Sequence, residues 1–495
     1  MDLKQIFKRK KSDLNEKKSD EFSFDFTRFL EKEIDKFKVS RKRKNMLNGE
    51  RYYDGKHDIL KRKRTIIGQG GELIEVDNLP NNLIIDNQYA RMVDQKNNYL
   101  LSKALTFDSE DKVFLKCVKN IFDNRFLKTL KGIGQDCFNC GIAYLYTYYD
   151  DFGKLNFKRL VPFEIIPFWK NEEHSILEFA IRIYEIEAYE KGQAINIEKV
   201  EVYLKEGIKR FILKGQKLIP ENNGKIIPYI NDGENDFNFG KVPIVAFRQN
   251  DRELPLILKI KALQDALNTV HSDFMNNLQE DARNTILVLK NYDGTNLGEF
   301  RKNLAQFGVV KVKSVEGADG GVSTLKIDIN SDNFKTVSNL LKTAIVENAR
   351  GIDSKSEKMF GDLSKMNIQS IYSDIDLDAN SMENEFKASF EDLLFFVKFY
   401  LKNQGFGNFD FSNLEIIFNR DILINETESI DNCIKSLQIL SKDTVISQHP
   451  WVHNIEKENY KIKKEGIFYG QKTTITNGPI RRTSRTNISR KSTRN

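Results

Sequence analysis

Asp374, Asp376 and Asp378, followed by Glu385, occupy places one, three, five and twelve of an EF-hand calcium loop. Position six is Ala379, where the sharp turn of such a loop needs glycine, and the run lies inside a helical pattern. These carboxylates therefore read as the acidic surface of a helix rather than as a metal cage. Cys137-Phe138-Asn139-Cys140 is a CxxC, but it follows a helical stretch and precedes the apolar run Ile142 to Tyr149. A redox pair belongs at a helix start after a strand, so the pair reads as small residues packed at a helix end. Zinc would require a second pair, and Cys117 and Cys433 stand alone. Gly68-Gln69-Gly70-Gly71 lacks the spacing of a dinucleotide fingerprint and fits a hairpin loop. His57, His174, His271, His449 and His453 are scattered without metal or nucleophile spacing and read as surface or turn residues. No Gly-Lys pair continues into a P-loop, as Gly240-Lys241-Val242 illustrates. The expectation is a protein with no catalytic residues, no metal and no cofactor.

With no reactive constellation, the elements themselves carry the argument. A chain of 495 residues exceeds what one core usually serves, so several units are expected. No apolar run reaches the roughly 18 residues of a bilayer span, and the basic start, Met1 to Asp20, has no apolar core for a signal peptide. A cytoplasmic site of synthesis and assembly is expected. The formal charge of +7 is concentrated in the last 25 residues, Gln471 to Asn495, which hold seven basic and no acidic side chains. The other 470 are formally neutral. Such a tail suits either salt-sensitive contact with phosphates or simple solvation.

Apolar periodicity predicts a helix over Phe22 to Leu47, a turn-rich linker over Arg51 to Gly71, and helices over Asp86 to Ser102, Asp111 to Asp123 and Arg125 to Asp136. Strands are expected at Ile142 to Tyr149, Leu155 to Leu160, Leu177 to Glu187, Lys199 to Tyr203 and Lys209 to Leu213. From Glu253 to Asp281, Leu256, Ile260, Leu263, Leu267, Val270, Phe274 and Leu278 form one helix face, opposite Lys261, Gln264, Asn268, Asp273, Asn277 and Glu280. A compact α/β insertion follows, with strands at Thr285 to Lys290, Val309 to Lys313 and Val322 to Ile327 around a helix at Gly298 to Gln306. A second long helix, Phe334 to Arg350, closes it. Then come a break at Gly351 to Asn367, a helix from Ile368 to Asn403, a strand at Leu414 to Phe418, and helices at Glu426 to Leu440 and Ile455 to Gly466. The fold class is α+β.

Several strings, in order, carry a family resemblance: Tyr52-Tyr53-Asp54-Gly55-Lys56-His57-Asp58-Ile59, Leu79-Pro80-Asn81-Asn82 with Asp86-Asn87, Gly240-Lys241-Val242-Pro243-Ile244-Val245, and Asn348-Ala349-Arg350-Gly351-Ile352-Asp353. Over about residues 25 to 465 the chain resembles the portal proteins of siphophages. One departure is Ser364-Lys365-Met366-Asn367-Ile368, where many relatives have a Ser-Gly-apolar-Ala turn.

The resemblance implies a portal fold with a mixed α/β wing, long stem helices, a small α/β clip and a helical crown. On it, residues 1–20 and 471–495 are basic disordered ends, 21–252 the wing, 253–283 and 333–352 stem helices, 284–332 the clip, 353–367 a tunnel loop, 368–405 a long kinked helix, 406–425 a return strand of the wing, and 426–470 the crown. It further implies a homo-oligomeric ring of about twelve subunits at one capsid vertex, a channel for packaging and ejecting double-stranded DNA. Partners would be the terminase large subunit, a head-tail connector protein, the major capsid and scaffolding proteins, and DNA bound without sequence preference. The tunnel loop would present Asp353, Lys355, Glu357, Lys358, Asp362 and Lys365, formally neutral together, with Gly351 and Gly361 supplying backbone freedom. Asp374, Asp376 and Asp378 would line the channel. The alternatives are a non-viral oligomeric scaffold and a packaging ATPase, the latter lacking its P-loop.

Overall fold

The structure, a computed structural model, describes residues 17–67, 70–190, 193–231, 236–281, 286–290, 321–325, 331–353, 365–407, 409–411, 413–420, 426–452 and 455–465. They fall into a large unit, 1–362 with 367–422, and a small one, 423–495 with 363–366. Helices and sheets are mixed throughout the large unit, as an α+β chain requires.

The large unit begins with α1 (Lys17–Lys38) and α2 (Arg41–Tyr53). The single helix expected over Phe22 to Leu47 is thus two. Ser40 is extended, and its hydroxyl accepts from Arg43 N to cap α2, a local bond that ends one helix and starts the next. Strands β1 (Thr65–Ile67) and β2 (Leu73–Glu75) pair antiparallel, so the glycine cluster between them joins a hairpin. Next come α3 (Gln88–Leu101), β3 (Thr106–Asp108), α4 (Lys112–Ile121) and α5 (Asn124–Cys140). Gly141, at φ 83°, ends α5 in the left-handed conformation, and an added Cβ there would meet the Glu253 carbonyl oxygen at 2.2 Å.

Strands β4 (Ile142–Tyr149) and β5 (Leu155–Leu160) form a three-stranded sheet with a later strand, Ile244–Arg248. A five-stranded antiparallel sheet follows, in the order β10-β9-β8-β7-β6, from β6 (Ile165–Trp169), β7 (Leu177–Glu190), β8 (Gln193–Leu204), β9 (Gly207–Lys214) and β10 (Lys217–Pro220). Helix α1 covers one face of it: Leu30, Ile34 and Phe37 pack on Phe179, Ile181, Val200, Val202 and Phe211. At about 1.5–3 kcal/mol for each large side chain fully buried, this face is enough to fix the helix on the sheet.

Two long helices organise the rest: α6 (Ile257–Asp281) and, after the paired strands Ile286–Lys290 and Gly321–Leu325, α7 (Ser331–Ala349). Phe274 of α6 and Phe334 of α7 stack at 3.8 Å between centroids. The expected insertion helix, Gly298 to Gln306, and strand, Val309 to Lys313, lie outside the described residues. Helix α8 (Lys365–Asn403) buries Phe386, Phe390, Leu393 and Val397 in the main core, with Phe386 edge-on to Phe247 at 5.0 Å. The chain then returns to pair Glu415–Ile417 with β3, a partner strand that the sequence pattern had not suggested. In the small unit, α9 (Glu426–Ser436), α10 (Lys442–Ser447) and α11 (Ile455–Glu465) follow, with Ser441 capping α10. Cys433 and Val445 are buried there, while Ile439, Trp451 and Tyr460 are exposed.

Candidate functional site

Helix α6 holds a column of fully buried polar side chains, Gln264, Asn268, Ser272 and Asn276, spaced four apart. Four helical residues rise about 6 Å, close to the ~6.7 Å advance of two extended residues. The segment preceding α3 uses this match, running antiparallel to α6. Asn276 Oδ1 accepts from Asn82 N at 2.7 Å, Ser272 Oγ from Ile84 N at 3.0 Å, Asn268 Oδ1 from Asp86 N at 3.1 Å and Gln264 Oε1 from Tyr89 N at 3.0 Å. A backbone segment without a strand partner thus has its donors satisfied by side chains. The flank of α6 that looked solvated is in part a buried seam.

His57 completes the seam. Asn268 Nδ2 donates to its Nδ1 at 2.7 Å, and its Nε2 lies 2.9 Å from Tyr52 O, which fixes a neutral ring with its proton on Nε2. The imidazole stacks on Tyr52 at 4.4 Å and is 1% exposed. The sequence reading of this histidine as a surface or turn residue is corrected: it stands at a turn, but inside the protein. Burial lowers its pKa from the ordinary value, against the pull of Tyr52 O and Asp265.

A second construction sits where α7 ends. Gln95 on α3 clasps the backbone of Ile352, accepting from its N at 2.7 Å and donating to its O at 2.8 Å. The neighbouring Lys96, 3% exposed, donates to Ala349 O at 2.7 Å, Arg350 O at 3.1 Å and Asp378 Oδ2 at 2.9 Å. Its ammonium therefore meets the negative end of the α7 dipole and ties it to α8. Arg350, at φ 52°, also reaches Asp378 at 2.9 Å, and Lys259 of α6 lies 3.7 Å away. Burial alone would raise the Asp378 carboxyl, but Lys96, Lys259 and Arg350 hold it below the usual carboxylate range. Three helices and α3 thus meet on one carboxylate.

Gly351 serves close packing here: an added Cβ would meet Met92 Sδ at 2.5 Å. Its φ is not in the left-handed region, so the backbone freedom expected of it is replaced by a fit against α3. Of the other residues singled out in the sequence, Asp353 is half-buried after the clasped Ile352, and Lys365 is the first residue of α8. Lys355, Glu357, Lys358, Asp362 and Gly361 lie outside the described residues. On α8, Asp374 is exposed, Asp376 accepts from the Tyr99 hydroxyl, and Asp378 is the hub just described. All three and Glu385 lie within one unbroken helix, which rules out the looped geometry of a calcium cage.

The cysteines behave as packing residues. Cys137 and Cys140 are buried at the end of α5, where burial pushes both thiols up, and all four cysteines are free. Among the described residues no group of histidine, cysteine and carboxylate side chains is arranged to hold a metal. Gln95, Lys96 and the α6 column were missed in the sequence, where nothing but their place on predicted helices marked them. What this arrangement does chemically is hold shape: it ties the end of α7 to α8 and fixes the point at which the chain enters residues 354–364.

Residues 33–468 match the family model of phage portal proteins described as SPP1 Gp6-like. A portal protein of Bacillus phage SPP1 is 28% identical over 434 residues, which cover 86% of this chain and 84% of the relative. A portal protein of Clostridium phage phiCD119 is 27% identical over 435 residues, covering 84% and 91%.

Proposed function

Because this chain belongs to the SPP1 Gp6-like phage portal proteins, structural subunits of the channel through which phage DNA is packaged, we propose that about twelve copies close into a ring at one capsid vertex. The observation that carries the reading is the apolar surface one copy leaves uncovered on its long helices. Leu258, Met275 and Leu278 of α6, Val337 and Leu340 of α7 and Leu377 of α8 are all exposed. Neighbours in a ring would cover such surface.

In this reading the large unit up to residue 252 is the wing, α6 and α7 are the stem, residues 284–332 are the clip, 353–367 the tunnel loop and 426–470 the crown. The clip recruits the terminase large subunit and later the head-tail connector, and the ring meets the major capsid and scaffolding proteins. Hydrolysis of ATP belongs to the motor, and the portal contributes no catalysis. Assembly takes place in the host cytoplasm, and the finished ring resides in the virion. Among the described residues no helix is long and apolar enough to cross a membrane. The basic tail, 471–495, adds salt-sensitive contact with DNA.

The entry to the loop is set by the clasp of Gln95 on Ile352, and beside it the Lys96–Asp378 tie joins the end of α7 to α8. Asp374 faces the channel, while Asp376 and Asp378 secure the helix that carries it. Formal neutrality of 353–367 lets the loop touch sliding phosphates without holding them. Changing Asp353→Asn, Glu357→Gln and Asp362→Asn together gives each loop a charge of +3, about +36 around a ring of about twelve. Rings should still assemble, and DNA translocation should slow several-fold or stall. Packaging at the normal rate with fully filled heads would contradict the placement of this loop.

A further inference from the structure

The hairpin β1–β2 is three residues long on each side and packs on none of the core clusters among the described residues. Two of its three cross-strand pairs are aliphatic and lie on opposite faces of the ribbon: Ile66 with Ile74, 42% and 43% exposed, on one, and Ile67 with Leu73, 75% and 73% exposed, on the other. A two-stranded ribbon this short is marginal in water unless something covers it. It is nevertheless held in place. Arg62 pairs with Asp273 and Arg64 with Glu280, both at 2.6 Å, and Asn81 Nδ2 donates to Arg62 O at 3.2 Å. These bonds fasten the hairpin to the C-terminal turns of α6. The more exposed aliphatic face, Ile67 with Leu73, is therefore presented at a fixed position rather than swinging on a loop.

The other flank of the same turns is apolar as well. Helical residues advance about 100° each, so Met275 and Leu278 point roughly 140–160° away from Asp273 and Glu280. Both are exposed, at 36% and 42%. One copy thus carries a projecting apolar patch on one side of α6 and a receiving apolar stripe on nearly the opposite side. Two different, complementary surfaces on opposite flanks are what a heterologous contact needs in order to repeat head to tail and close.

We propose that the hairpin of one copy docks on the Met275–Leu278 flank of α6 in the next copy, making the β1–β2 ribbon the hook between ring neighbours. This rests on the ring reading above and specifies its contact. The occupant is a second copy because the donor and acceptor patches lie at the same level of one helix, so rotation about an axis roughly parallel to that helix brings them together.

The test uses the full chain with Ile67→Cys and Leu278→Cys. Under mild oxidation the double variant should give a ladder of covalent oligomers on a denaturing gel, and each single variant should not. In parallel, Ile67→Ser with Leu73→Ser, both at exposed positions, should leave the circular dichroism unchanged and raise the protein concentration for half-assembly at least about tenfold. Rings that form at the wild-type concentration in the serine variant, with no ladder from the cysteine pair, overturn the hairpin contact and leave the ring standing. A wild-type protein that stays monomeric overturns the ring and this contact with it. Hairpins cross-linked to a partner other than a second copy would also overturn the proposal.

Discussion

Replacing Asn268 with leucine removes the central rung of the seam between α6 and the segment before α3 while nearly conserving volume. Asn268 is fully buried, accepts from Asp86 N and Gln264 Nε2, and donates to His57 Nδ1. Gln264 Nε2 keeps its bond to Asp86 O at 2.8 Å, so two groups lose their partners, the Asp86 N–H and His57 Nδ1. At about 1–3 kcal/mol for each buried group left unsatisfied, the loss is about 2–6 kcal/mol. The large unit, 1–362 with 367–422, has an unfolding entropy of about 0.9 kcal/mol/K, so the melting temperature should fall by about 2–7 °C. The comparison is Asn277→Leu, an exposed position on the same helix, which should melt within about 1 °C of the parent. Differential scanning calorimetry at one protein concentration measures both, since assembly makes melting concentration-dependent. If Asn268→Leu melts within 1 °C of wild type, the column does not secure the segment and the account of α6 is wrong.

Lys96→Met leaves the buried Ala349 O without its side-chain donor and takes one of three cations from Asp378, which keeps Arg350 and Lys259, and should cost about 1–3 kcal/mol, whereas Lys259→Met, whose ammonium is half-exposed at 3.7 Å, should cost under about 1 kcal/mol; urea unfolding of the two separates the roles. Stability should also depend on pH in a stated direction. His57 and His271 have folded pKa values below their ordinary 6.5, chiefly through burial, so the unfolded chain binds more protons as pH falls through that value. Stability is full above it and declines below it, before the paired carboxylates of Asp86 and Asp378, held low in the fold, begin to protonate. A urea midpoint unchanged between pH 8 and pH 5.5 would contradict the buried neutral histidines.

Much of the fold was legible because its signals are local. The strands at Ile142–Tyr149 and Leu155–Leu160 coincide with their apolar runs, bounded by Gly141 and by the turn at Asp150–Lys154. The helix break at Ser40 was hidden because Phe26, Phe29, Leu30, Ile34 and Phe37 keep a helical period up to it and charged helix formers resume after it. The start of α6 shifted from Glu253 to Ile257 because Glu253 takes a positive φ and turns its carboxylate onto Lys42 and His174, partners more than 70 residues away in sequence. The same limit applies to the site. Polar residues at spacing four read as a solvated face unless the partner is known, and the partner of the α6 column is an extended segment whose own donors give no periodic pattern. Asp378 looked like channel surface for that reason too, since Lys96 lies 282 positions away.

In the proposed ring, copies of this chain close around an axial opening. Electron microscopy of the purified full-length protein tests it most directly. Class averages should contain closed rings of about twelve subunits with a central channel wide enough for a DNA duplex. Monomers or dimers alone across protein concentrations and salts, or a closed assembly with no axial opening, would contradict it.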